Sequence, residues 1–245
     1  MHALLKSIVK IESEQISYRD EFEQYFRFVE GRIPVLLSAP HGARHKRNGA
    51  WKGEDEYTAS IAVKLAEMTK AHVIYVKNQT QEDPNATSTS AYKEKIKHII
   101  KDFGIKFLAD IHGANSNRNF KICAGIIDED PEKCACPTFK SVIQDALGDF
   151  QSPLFNLEGL YAANPKRVTY FARHECGIES AQFEINADYR IIKRKPDSTY
   201  ALNGMDLDFR ADEQKVKELI HYMEKMILSL ARISGSNMFK IITAT

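Results

Sequence analysis

Short apolar runs alternate along the chain with stretches whose apolar residues recur every three to four positions. The run 34–40 is apolar and bounded by Pro34 and Pro40, which predicts a buried strand. Over 58–70, Ile61, Leu65 and Met68 fall at helical spacing, and 72–76 follows as a second strand. The polar stretch 78–90, with turn chemistry at Asp83-Pro84-Asn85, predicts a long loop of the kind that often carries function. A helix comes next, with Tyr92, Ile96, Ile99, Ile100 and Phe103 on one stripe and Gly104 as its stop, before a strand at 106–111.

The remainder continues in the same way. A strand is predicted at 121–127 and a helix at 139–150, with Phe139, Val142, Ile143, Ala146 and Leu147 inward. Further strands are predicted at 168–172 and 182–186, and a long helix at 212–232 carries Val216, Leu219, Ile220, Met223, Ile227 and Leu230 on one face. The charged amino-terminal segment, rich in Glu, Gln and Phe, receives no element. This alternation predicts an α/β chain, a three-layer α/β/α arrangement around a central mixed, largely parallel sheet. No repeat or linker interrupts it, so 1–245 is read as a single domain.

Composition narrows the ligand. The 245 residues are 43% hydrophobic, enough for a sizeable core. Net charge is +1, from 34 basic and 33 acidic side chains, so no global field recruits nucleic acid or an anionic membrane, and a small molecule is the expected partner. The first ten residues hold too short an apolar stretch for a signal peptide, and no segment approaches the roughly 20 apolar residues of a membrane span. A cytoplasmic protein is expected. Cys123, Cys134, Cys136 and Cys176 are too sparse for a disulfide framework and are expected to be free thiols; Cys134-Ala135-Cys136 lacks zinc-ribbon spacing.

Two histidines end strand-like runs just before a glycine: Pro40-His41-Gly42 and Asp110-Ile111-His112-Gly113. Strand carboxyl ends open into the ligand crevice of α/β proteins, so both could face one site. A hydrolytic zinc site takes three ligands from His, Asp and Glu. The third is sought in Glu54-Asp55-Glu56, although acidic residues before a helix are also expected from its dipole, and spacing does not choose among the three. Glu184 lies in an apolar strand between Phe183 and Ile185, where a carboxylate is costly unless used; it either points outward from an edge strand or faces the metal as a general base. Arg118 and Arg190 are candidates to fork a substrate carboxylate, and Asn186, just before the second of them, joins the substrate-binding set. His45, in the basic run Arg44-His45-Lys46-Arg47, is expected in a solvated loop, His98 on a polar helix face, and His174 as at most a spare ligand.

Taken in order, Ser38-Ala39-Pro40-His41-Gly42, the acidic cluster before Tyr57-Thr58, Asp110-Ile111-His112-Gly113, Arg118 before an apolar strand and Gln182-Phe183-Glu184-Ile185-Asn186 resemble the N-formylglutamate amidohydrolase family over roughly 30–192. The resemblance implies a zinc-dependent hydrolase with a fold similar to zinc carboxypeptidases (phosphorylase/hydrolase-like), cleaving an amide beside a carboxylate-bearing acylamino acid. It implies His41, Asp55 and His112 as metal ligands, with Glu56 the rival carboxylate, and Glu184 as the base. His and carboxylate ligands also suit other divalent metals. Family members often carry Asn-Arg in the loop after the second strand and Arg directly after Glu-x-Asn; here those places read Asp83-Pro84-Asn85-Ala86 and Asn186-Ala187-Asp188. The other functional classes considered are a zinc carboxypeptidase or different N-acyl amino acid deacylase, and a non-catalytic metal-containing binding protein.

Overall fold

In the computed structural model, residues 2–130, 133–148, 150, 154–155, 161, 165–204, 208 and 210–235 are described. The chain begins α1 (Ala3–Gln15), β1 (Phe26–Val29), β2 (Ile33–Ala39), β3 (His45–Arg47), β4 (Ala50–Lys52), α2 (Thr58–Thr69), β5 (Ala71–Val76), α3 (Ala91–Phe103) and β6 (Phe107–Ala114). It continues β7 (Ile122–Ile126), β8 (Asp128–Asp130), β9 (Lys133–Cys134), α4 (Pro137–Leu147), β10 (Leu154–Phe155), α5 (Val168–His174), β11 (Glu179–Asn186), α6 (Thr199–Leu202) and α7 (Glu213–Ile233). Seven strands form one sheet in the order β1-β5-β2-β6-β11-β7-β10, and β3-β4 and β8-β9 are separate two-stranded pairs. Within the sheet β5, β2, β6 and β11 run parallel to one another, while β1 and β7 join antiparallel and β10 lies parallel to β7. The mixed, mostly parallel α/β sheet is the one the alternation predicts.

Strand alternation divides the core into two layers. Val35, Leu37, Val73, Phe107, Ala109, Ile111 and Phe183 pack with α1, α2, α4 and α7, burying Leu5, Ile61, Leu65, Phe139, Ile143 and Leu219. Leu36, Ile74, Val76 and Leu108 point the other way, against Tyr92, Ile96 and Ile99 of α3 and Phe171 of α5. Each buried Val, Leu, Ile or Phe among them contributes roughly 1.5–3 kcal/mol. On this second face the apolar pattern breaks. Ser38, Asp110 and Gln182 are register neighbours across β2, β6 and β11, and one step along lie His112 and Glu184, all buried. Polar groups at the centre of a sheet are costly unless they are bonded or used, and this stripe leads to the carboxyl end of β2, where His41 follows.

Some elements differ from the sequence expectation. Residues 168–172 form part of helix α5: Val168, Thr169, Phe171 and Ala172 are buried at helical spacing, and the Val168 N–H donates to Asn85 Oδ1 (2.8 Å), fixing the helix start. The helix expected over 139–150 ends at Leu147, and position 149 lies outside the described residues. Helix α1, carried by buried Leu5, Ile8 and Ile11, and strand β1 fall in the segment to which no element was given. No helix among the described residues is long and apolar enough to cross a membrane.

Candidate metal centre

His41 leaves the end of β2 and is followed by a glycine for a steric reason. A Cβ at Gly42 would lie 2.2 Å from the Val76 carbonyl oxygen, so only glycine lets this turn pass the end of β5. The Asp55 N–H donates to the His41 carbonyl (2.8 Å), bringing the acidic cluster back over the strand end. Tyr57, at φ 68°, then turns the chain in the left-handed region before α2, its hydroxyl donating to the Lys193 carbonyl (2.6 Å). His112 comes from within β6, two residues before its end.

These elements send three consecutive carboxylates in three directions. Glu54 accepts from the Thr199 N–H (2.6 Å) and Oγ1 (2.8 Å) at the start of α6. Glu56 is buried in an ion pair with Arg194, both carboxylate oxygens 3.2 Å from Nε. Asp55 alone turns to the histidines: its Oδ2 is 3.3 Å from His41 Nδ1 and 3.4 Å from His112 Nδ1, and the two Nδ1 atoms are 3.1 Å apart. Glu56, the rival carboxylate, is therefore not at the cluster.

The outer ring nitrogens are held too. His41 Nε2 lies 2.9 Å from Asp83 Oδ1, and His112 Nε2 lies 2.9 Å from Asp110 Oδ2. Protons on Nε2, donated to these carboxylates, leave both Nδ1 lone pairs facing Asp55 Oδ2. In that tautomer three buried lone-pair atoms converge on one point and repel one another unless protons or a metal cation lie between them. Their separations match the roughly 3.3–3.5 Å between ligands of a tetrahedral ion with bonds of about 2.0–2.1 Å. The donor set fits a divalent metal.

The electrostatics agree. Burial alone lowers a histidine pKa, but Asp83 and Asp55 more than compensate at His41, and Asp110, Asp55 and Glu184 raise His112 to about 10. Burial pushes the Asp55 carboxyl up, yet the two histidines hold it well below the usual carboxylate range. The pocket is built to hold positive charge.

His41, His45 and Asp83 form a second group of possible ligands. There Arg47 Nε already lies 2.5 Å from Asp83 Oδ2 and supplies the countercharge. His45 corrects the solvated-loop expectation. It is buried on β3, because alternation along the β3-β4 hairpin turns His45 and Arg47 toward Asp83 while Arg44 and Lys46 cover Trp51. Its ring stacks on His41 at 4.1 Å, and burial with the neighbouring His41 lowers its pKa to about 3. It packs against the His41 ring as a neutral plate.

Glu184 pairs in register with His112, on the inner strand β11 between β6 and β7 rather than at an edge. Its carboxyl is buried and pushed up by that burial, against the opposing effects of His112 and of a hydrogen bond from Gln182 Nε2 (2.7 Å). Asn186 and Arg190 are committed to the protein itself. Asn186 Nδ2 reaches the carbonyls of Ser116 (3.4 Å), Arg118 (3.0 Å) and Phe120 (3.0 Å), so it shapes the loop after β6. The Arg190 guanidinium is buried and donates to the carbonyls of Ile185 (3.1 Å), Ala114 (3.3 Å) and Glu56. Arg118 is exposed, its guanidinium 5.8 Å from the Tyr161 ring centroid. His98 and His174 are exposed, the latter stacked on Tyr170.

The sequence reading missed the roles of Asp83, His45, Arg47 and Asp110 beside the two histidines. Asp110 did leave a signal, being acidic, two residues before His112 and hence on the same face of an apolar strand.

No family model and no curated protein matches the sequence. Among solved structures, the fold is similar to that of a gene product from Agrobacterium tumefaciens, at 13% identity and TM-score 0.54, covering 89% of this chain and 100% of that one. It is similar to a protein named as a carboxypeptidase A from Shewanella denitrificans OS-217, at 11% identity and TM-score 0.51, covering 94% and 68%. An N-formylglutamate amidohydrolase from Ralstonia eutropha JMP134 also aligns, at 10% identity and TM-score 0.49, covering 85% and 98%. The chain has a carboxypeptidase-like α/β fold.

Proposed function

We propose that the protein is a zinc-dependent hydrolase that cleaves the amide of an N-formyl or N-acyl amino acid. What carries the reading is the convergence of His41 Nδ1, His112 Nδ1 and Asp55 Oδ2 within 3.1–3.4 Å of one another, with Glu184 in register beside His112. The substrate class rests on the ordered motifs from Ser38 to Asn186 and their resemblance to N-formylglutamate amidohydrolases.

A divalent ion held by His41, Asp55 and His112 supplies Lewis acidity, polarising an acyl carbonyl and acidifying water. Glu184 accepts the proton of the attacking water and returns it to the nitrogen of the leaving amine, so it begins and ends the cycle ionised. Asp83 and Asp110 keep the two imidazoles in the tautomer that presents Nδ1. In this reading exposed Arg118 takes the substrate carboxylate.

The test is Glu184→Gln against a panel of N-formyl-L-glutamate, other N-acyl amino acids and short peptides. Retained zinc with loss of most turnover is expected. Full turnover in the variant removes Glu184 as the base, and consumption of peptides alone makes the protein a carboxypeptidase.

A further inference from the structure

The side-chain amide of Gln182 is arranged against its own hydrogen-bonding interest. Gln182 is 3% exposed, in the centre of the sheet, between Asp110 of β6 and Gly125 of β7. Its Nε2 donates to Glu184 Oε1 at 2.7 Å, while its Oε1 is buried without a hydrogen-bond partner among the described residues. A buried acceptor without a donor is costly. With Glu184 ionised, as the general base must be, the amide cannot be reversed to relieve it, since oxygen would then face oxygen at that same distance. The residue gives up one hydrogen bond to place a donor on Glu184.

We propose that Gln182 is a positioning residue for Glu184, pinning the orientation of its carboxylate beside His112. This rests on Glu184 being the general base. A Glu side chain has rotatable bonds of its own, and a short charge-assisted hydrogen bond to one oxygen restricts the rotation of the carboxylate on the residue in register with His112.

Gln182→Met keeps the volume and removes both the donor and the orphaned acceptor. With N-formyl-L-glutamate as substrate, kcat is expected to fall about ten- to hundredfold, with KM and zinc content unchanged. The melting temperature is expected not to fall, because the unpartnered oxygen is removed with the amide. A merely structural Gln182 would instead lower stability and leave the kcat of folded enzyme intact, and that result overturns the proposal. A second readout needs no turnover. The Gln182 amide protons, assigned by their absence from the Gln182→Met NMR spectrum, should include one shifted downfield that returns toward an ordinary amide position in Glu184→Leu. An amide signal indifferent to Glu184→Leu also overturns the proposal. Full activity in Glu184→Gln would instead bring down the base itself, so the two failures are told apart.

Discussion

The Arg190 guanidinium lies directly against Gly113: a Cβ at that position would sit 2.6 Å from Arg190 Cζ and 2.7 Å from Nε. The glycine that follows His112 thus makes room for a buried cation linking the ends of β6 and β11 to the backbone at Glu56, next to Asp55 of the histidine cluster. Gly113→Ala is expected to cost about 1–3 kcal/mol through overpacking. Arg190→Met, which strips a donor from three carbonyls, is expected to cost roughly 2–4 kcal/mol. Urea unfolding of both variants measures this. An Arg190→Met protein of native stability would mean that the strut holds nothing.

The three-way split of Glu54, Asp55 and Glu56 separates metal binding from stability. Asp55→Asn should lose bound metal while remaining folded. Glu56→Gln should keep its metal but lose about 3 kcal/mol, since the buried ion pair between Glu56 and Arg194 is lost. Metal analysis and denaturation on the same preparations decide; the reverse pattern would make Glu56 the ligand.

Asp83 holds His41 from behind while Arg47 neutralises it. Asp83→Asn preserves the shape and removes the charge, and metal affinity is expected to fall about 10- to 100-fold. Competition with a chelator of known affinity measures it. An unchanged affinity would show that His41 needs no carboxylate behind it.

Much of the architecture was legible because its signal is local. The strand at 34–40, the helices opening at Thr58 and after Asp212, and the stripe of Tyr92, Ile96 and Ile99 are patterns of burial that composition alone displays. Val168 to Ala172 reads as a strand because β-branched and aromatic residues favour one; the bond from Asn85 that starts a helix there comes from a loop far away in sequence. The same distance hid the roles of His45 and Asp83. A histidine in a basic run looks solvated until a hairpin turns it inward, and a carboxylate in a turn looks like turn chemistry until His41 is seen beside it. Glu184 could be read either way because periodicity does not say which strand lies at an edge.

Away from the site, His72 on β5 sets an acid-side limit on stability. Burial lowers its pKa below 6.5, and its unprotonated Nδ1 accepts from the Gly31 N–H (3.1 Å). Below about pH 6.5 the unfolded chain takes up a proton that folded His72 refuses, so the unfolded state binds more protons and stability falls as the pH drops. His72→Asn keeps an acceptor for Gly31 and removes the titration. The stability gap between wild type and variant is therefore expected to narrow from about pH 7.5 to about pH 5 in urea titrations. A gap independent of pH would show that His72 titrates alike in the folded and unfolded chains.

The metal content of protein purified without an affinity tag, measured by mass spectrometry for wild type and His112→Ala, tests the centre most directly. Near-stoichiometric zinc in the wild type, lost in a still-folded His112→Ala protein, is the expected result. Wild-type protein that takes up no divalent metal, even after incubation with zinc, would contradict it and reduce His41, Asp55 and His112 to a buried polar cluster.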